Sequence, residues 1–185
     1  MTIQKLPTLL INQIAAGEVV DRPASIVKEL VENAIDAGST RIDIQLEQGG
    51  KNQIRVSDNG SGIVPEELVL AVTPHATSKI SEESDLAAIA SLGFRGEALA
   101  SIASISHVIL KSRRGQDESG TQIEVDGGEI ANPKPVSTST GTTVEVKRLF
   151  FNTPARRKFL KSDGAETTRV REVVQRLAAS HSDIG

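Results

Sequence analysis

From Pro23 to Ala37 the apolar residues recur at the spacing of a helix that buries one side. Turned at 100° per residue with Glu29 at zero, Ile26, Val27, Leu30, Val31, Ala34 and Ile35 fall between about 60° and 240°, while Ser25, Glu29, Glu32, Asn33 and Asp36 fall between about −60° and 40°. Pro23 suits the first turn of that helix and Gly38 its stop. Then the period changes to two. Arg41 to Glu47 and Gln53 to Asp58 alternate apolar and polar residues, which predicts two strands joined through Gly49-Gly50. Similar patterns predict helices over Leu9–Val20, Pro65–Val72, Leu86–Ala90, Ala98–Ile105 and Ala165–Ser180, and strands over His107–Arg113, Thr121–Val125 and Thr142–Val146. Between Thr73 and Gly96 the chain carries Thr, Ser, Pro and Gly around one short helical piece, and a stretch of that length inside a compact domain reads as a mobile lid. The order of elements predicts one α/β (α+β) sandwich with helices on one face of the sheet.

Composition narrows the class. A chain of 185 residues suits one domain with a real core. It holds no cysteine, so disulfides and thiolate metal sites are excluded, and a reducing, cytoplasmic setting is the expectation. Leu9-Leu10-Ile11 is too short for a signal-peptide core, and no run approaches the roughly 20 apolar residues that span a bilayer, so no membrane partner is expected. The net charge of −3 argues against a dedicated nucleic-acid binder, yet nine Lys and Arg lie between Lys147 and Arg176 against three acids. That face could touch phosphates or simply be solvated, and four Phe with no Trp or Tyr argue against a base-stacking platform.

The chemistry concentrates in two places. Glu29, Glu32, Asn33 and Asp36 share a helix face on which only Lys28, off to one side, offers compensation. Such carboxylates with an amide oxygen between them are hard-oxygen ligands of the kind magnesium uses, although an acidic face can also be merely solvated. On the second strand Ile54, Val56 and Asp58 share one face, so Asp58 points where the core is. A buried carboxylate needs a donor, which an exocyclic amine such as adenine's could supply; the plainer alternative is an acceptor for an Asn-Gly turn. Gly60 and Gly62 would let a flat ring approach the backbone. Familiar nucleotide motifs are missing: there is no Gly-x-x-x-x-Gly-Lys-Ser/Thr, and Pro65 breaks the dinucleotide fingerprint. His75, His107 and His181 have no metal-ligand spacing.

Three stretches in order, Glu29 to Gly38, Asp58 to Ile63, and Gly93-Phe94-Arg95-Gly96-Glu97-Ala98-Leu99, resemble the nucleotide boxes of the GHKL ATPases, the group of gyrase, heat-shock chaperones and histidine kinases. Within that group Asn12 to Val20, Arg22 to Ser25, Ala76 to Ile80, Gly141 to Val144 and Phe151 to Arg157 resemble the MutL-type DNA mismatch-repair proteins, nearly end to end. The resemblance implies a Bergerat-type two-layer sandwich with a mixed β-sheet, a GHKL-type ATP-binding domain over 1–185, and an ATP lid over 73–97. It implies ATP with Mg2+ as cofactors, and ADP as product. Asn33 becomes the direct magnesium ligand and Glu29 the base that activates the attacking water. Asp58 recognises adenine with Thr143 beside it. Gly60, Gly62 and Ile63 line the base pocket, Thr77, Ser78 and Lys79 approach the phosphates, and Gly93, Phe94, Arg95, Gly96, Glu97, Ala98 and Leu99 carry the phosphate loop into a helix.

The resemblance further implies ATP-dependent homodimerisation of the full-length protein, with a mismatch sensor, a nuclease and a helicase as partners and DNA contacted through the full-length protein. Relatives continue into a second domain, and this chain stops at Ser182-Asp183-Ile184-Gly185 where another strand is expected, so a monomeric piece with weak hydrolysis is the expectation. A type II topoisomerase subunit and a non-hydrolysing nucleotide-gated scaffold are the alternatives. One departure is Val72-Thr73-Pro74, where the helix would continue but Pro74 cannot donate a backbone N–H.

Overall fold

The structure, a computed structural model, describes residues 4, 6–74, 76 and 97–185. Two helices open it, α1 (Thr8–Val19) and α2 (Pro23–Asp36). Strands β1 (Ile42–Glu47) and β2 (Gln53–Asp58) follow, joined through a 3-10 turn at Gln48–Gly50. A second 3-10 turn (Pro65–Glu67) leads to the short α3 (Leu68–Ala71). After α4 (Ala98–Ser104) come β3 (His107–Arg113), β4 (Gly120–Asp126), β5 (Glu129–Ile130), β6 (Lys134–Val136) and β7 (Gly141–Lys147). Helices α5 (Pro154–Phe159) and α6 (Asp163–Ser180) close the chain.

The strands form one sheet in the order β1-β2-β7-β3-β4-β5, with β6 also against β4. Every ladder between these strands is antiparallel, which narrows the expectation of a mixed sheet. At the outer edge of β1, however, Gly185 donates to the Thr40 carbonyl at 3.0 Å and accepts from Ile42 N–H at 2.9 Å, the slanted bonding of a parallel pair.

Register explains where the core lies. One row across the sheet runs Ile44, Val56, Val144, Leu110, Ile123, and the next runs Leu46, Ile54, Val146, Val108, Val125. Against these rows α2 buries Ile26, Val27, Leu30 and Val31, and α4 buries Ile102 and Ala103. Each large aliphatic side chain so buried contributes about 1.5–3 kcal/mol. The opposite sheet face is polar and half-covered, with Glu145 held by Lys147 at 3.1 Å and Lys111 at 3.6 Å. A third row, at the end of the sheet nearest α2's C-terminus, changes character: Thr142, Ser112 and Thr121 succeed one another there beside Asp58. The two apolar rows make the core, and the polar row lies at its end.

Helix α2 stops as its sequence requires. Gly38 takes φ +71°, its N–H reaches Ile35 O at 2.9 Å, and Ser39 N–H reaches Ala34 O at 3.2 Å, a Schellman ending. Strands β5 and β6 and helix α5 carry too little periodicity to be expected. Helix α6 begins at Asp163, two residues earlier than its apolar pattern, because Ser162 accepts from Ala165 N–H as N-cap. The hairpin at Gly49-Gly50 is a 3-10 turn with Gln48, Gly49 and Gly50 all at positive φ. Helix α3 ends at Ala71, ahead of Pro74, and Thr73 Oγ1 donates to Val69 O at 2.8 Å. The helix expected over 86–90 lies outside the described residues.

Two glycines separate backbone freedom from space. Gly38 has open space where a Cβ would stand, whereas a Cβ on Gly49 would meet the Asp163 carbonyl at 2.6 Å. Gly38→Ala is therefore expected to cost about 1 kcal/mol, the left-handed penalty alone. Gly49→Ala adds a backbone clash that pushes α6 off the hairpin, for at least about 2 kcal/mol. Urea unfolding of both variants measures the difference, and equal costs would contradict it.

Candidate nucleotide site

Asp58 closes β2 on the polar row, and its Oδ1 gathers three donors. Gly60 N–H donates at 2.8 Å, Thr142 N–H at 3.2 Å and the Ser39 hydroxyl at 3.2 Å. The first is the Asx turn that the Asp58-Asn59-Gly60 sequence offers as its plainer reading. None of the three uses Oδ2. Burial lifts the Asp58 pKa above the ordinary carboxylate value, and the donors from Gly60, Thr142 and Ser39 only partly offset it.

A second polar knot lies beside the first. The Ser112 hydroxyl, on a residue 2% exposed, accepts from Ile63 N–H at 2.8 Å, lies 3.1 Å from the Gly141 carbonyl as its donor and 2.9 Å from Thr142 Oγ1. Ser61 N–H reaches Ala37 O at 3.0 Å, so the turn after β2 is docked on the end of α2. The glycines serve this docking. A Cβ on Gly60 would meet Ser39 Oγ at 2.7 Å and Ala37 O at 2.8 Å. Gly62, at φ +74°, abuts the Arg113 carbonyl, and Gly141, at φ +107°, abuts the carbonyl of Asp58. At Gly60 and Gly62 the protein's own chain stands where a side chain would begin, so both glycines allow close packing of the turn.

Glu29 and Asn33 stand one turn apart on α2, both half-buried. Their face is less uncompensated than its sequence implies. Lys28 reaches Glu32 at 2.8 Å and Glu29 at 3.8 Å, and Glu32 is 5% exposed, not part of an open acidic face. Residues four apart on a helix are neighbours, and that spacing lets the side-placed lysine bridge two acids. Asp36 stays exposed at the helix end.

Thr143 is misplaced in the sequence reading. It pairs with Ser57, its hydroxyl lies 2.9 Å from Ser57 Oγ, and both sit on the sheet face opposite Asp58. Thr142 holds the position beside Asp58. Strict alternation along Thr142, Val144 and Val146 carried that signal, whereas Ser39 and Ser112 had none, since their roles depend on chain segments far apart in sequence. Glu97 precedes α4, its carbonyl accepting from Ser101 N–H at 2.8 Å; Ala98 and Leu99 form the first turn, with Leu99 against the core. Thr77, Ser78, Lys79, Gly93, Phe94, Arg95 and Gly96 lie outside the described residues, as does most of the lid expected over 73–97. Among the described residues no three His, Asp or Glu cluster to hold a metal by themselves, and no helix is long and apolar enough to cross a membrane.

Residues 21–153 match the family model for histidine kinase-, DNA gyrase B- and HSP90-like ATPases. The chain belongs to this family. Within these GHKL proteins it is of the MutL type: it is 58% identical over its whole length to the DNA mismatch repair protein MutL of Xanthomonas oryzae and 56% to that of Xylella fastidiosa. It spans 29% of the length of the first and 30% of the second. Among solved structures, the Aquifex aeolicus MutL ATPase domain complexed with ADP superposes with TM-score 0.74 at 37% identity, covering 90% of this chain and 58% of that one. The N-terminal domain of a DNA repair protein superposes with TM-score 0.78 at 32% identity, covering 94% of this chain and 50% of the other. The sandwich is therefore the GHKL fold, and the polar row lies in a nucleotide-binding domain.

The raised pKa of Asp58 has a definite sign in stability. The folded chain holds the Asp58 proton more tightly than the unfolded chain, whose value is near 3.8, so the group's contribution is fully present below that pH and is lost as pH rises through the folded value. Asp58→Asn keeps an acceptor for the three donors and carries no charge. The parent is expected to lose stability relative to this variant as pH climbs from about 3.5 to 7. Urea unfolding across that range checks it; a constant difference would mean the carboxylate is not destabilised by burial.

Proposed function

We propose that this chain is the ATP-binding and ATP-hydrolysing part of a MutL-type DNA mismatch-repair protein. The observation that carries the reading is the Asp58 carboxylate, held on the polar row by three donors to Oδ1 and short of solvation. An adenine amine gives such a carboxylate the donor that burial denies it, whereas guanine carries a carbonyl at the same position. Thr142 and Ser112 complete the pocket floor, and Gly60, Gly62 and Ile63 set its wall. The ADP bound to the Aquifex MutL ATPase domain supports the ligand class.

Magnesium fits the residues present. It takes one or two protein oxygens and completes its shell with water and phosphate, so the Asn33 amide oxygen suffices without a carboxylate cluster. Bound there, the ion neutralises triphosphate charge. Glu29, one turn earlier on α2, orients and deprotonates the attacking water. Lys28 lies 3.8 Å from that carboxylate. The segment 73–97, with Thr77, Ser78 and Lys79 and the Gly93–Gly96 loop, closes over the phosphates as a lid and delivers backbone N–H groups before α4. Helix α1 and its approach expose Leu6 (46%), Leu10 (40%), Ile11 (45%) and Ile14 (53%), apolar surface suited to pairing with a second copy when ATP is bound. Pairing of full-length protein in the cytoplasm would signal from a mismatch sensor to nuclease and helicase, with DNA held by the whole assembly.

Calorimetric titration with a non-hydrolysable ATP analogue, with and without magnesium, tests the site directly. Asp58→Ala should weaken analogue binding by about 1.5–3 kcal/mol, and GTP should bind the parent poorly. Similar affinities for ATP and GTP would remove Asp58 from base recognition. Glu29→Ala should bind the analogue as the parent does and lose hydrolysis in the full-length protein, because a general base acts in the transition state. Asn33→Ala should lose the magnesium-dependent part of binding. Equal loss of binding in both variants would end this division of roles.

A further inference from the structure

The stretch Phe151 to Arg157 belongs to no step of nucleotide binding, yet it contacts the elements on either side of that step. The chain leaves β7 through a strained corner, with Arg148 at φ +53° and Phe150 at φ +61°. A phenylalanine in the left-handed region is held there only by its surroundings, and Phe150 is completely buried with its N–H on Ile105 O at 2.8 Å. Asn152 Nδ2 then donates to Ser104 O at 2.8 Å, at the C-terminal end of α4. One turn later Arg156 lays its guanidinium on α1: Nη2 reaches Ile14 O at 3.4 Å, and a Cβ on Gly17 would fall on the same guanidinium. Three buried polar atoms in this stretch lack partners, Asn152 Oδ1, Thr153 Oγ1 and Arg156 Nη1. A segment that is strained and under-bonded is suited to a second arrangement.

We propose that residues 150–156 are a second mechanical link between α4 and the pairing helix α1, beside their direct packing, with Arg156 as the residue that positions α1. The inference rests on the nucleotide reading above and adds a route by which occupancy reaches the exposed row Leu10, Ile11 and Ile14. Helix α4 carries Glu97 to Leu99 at its start and Ser104 at its end, so a shift of its first turn toward phosphate is passed to Asn152 as a shift of the Ser104 carbonyl. Arg156 transmits it because its planar fork occupies the space that Gly17 leaves on α1 and bonds the Ile14 carbonyl, and lysine cannot reproduce that fork.

Hydrogen exchange of the α1 amides, with and without the non-hydrolysable ATP analogue and magnesium, tests the link. In the parent the analogue slows α1 exchange by about fivefold or more. In Arg156→Lys and in Gly17→Ala, calorimetry still shows the analogue binding while α1 no longer responds to it. Gly17→Ala raises helix propensity, so a lost response there is not a weakened helix. An α1 response that survives in both variants, or one already missing in a parent that binds the analogue, overturns the link. A parent that binds no analogue overturns the nucleotide reading itself and the link with it.

Discussion

One carboxylate oxygen organises the functional end of this molecule. Oδ1 of Asp58 joins the segment after α2 through Ser39, the turn after β2 through Gly60, and the start of β7 through Thr142. These three segments come from distant parts of the chain, and charge-assisted bonds to an ionised acceptor are about twice as strong as neutral ones. The oxygen is held tightly enough to fix three backbones while burial leaves the group electrostatically unsatisfied as a whole. A carboxylate that only served the turn would gain more from solvent. Its position at the end of two apolar rows keeps it out of water, and burial raises its pKa despite the three donors.

The fold was largely legible because its helices and long strands obey one period each. Alternation along Ile54, Val56 and Asp58 already places the acid on the core side, and Gly38 marks the end of α2. Short elements escaped: a two-residue strand such as Glu129–Ile130 has no period to read. The site was half legible. Glu29, Asn33 and Asp58 lie on local patterns, whereas the partners of Asp58 depend on sheet register, which propensity does not encode. Thr143 shows the cost of reading a motif without its pleat: one residue along β7 is the other face of the sheet.

Charge on α2 shows a similar limit. A wheel places Glu32 with Glu29 and Asn33, but Lys28 draws Glu32 into a half-buried pair and leaves Glu29 the longer, looser contact. With its lysine about half exposed, such a pair adds little stability. Two acids of one helix face thus differ in how closely the same lysine meets them.

Gly141 carries a consequence for heredity. Its α-hydrogen faces the carbonyl of Asp58 at φ +107°, so every other L-residue brings both a Cβ clash and a forbidden backbone. Missense change at most positions lining a pocket produces a graded series of alleles, since side chains differ in size and polarity. Position 141 has no gradation, because alanine already fails for the same reason as tryptophan. All substitutions there should disrupt the junction of β2 and β7 alike, although the residue has no side chain of its own.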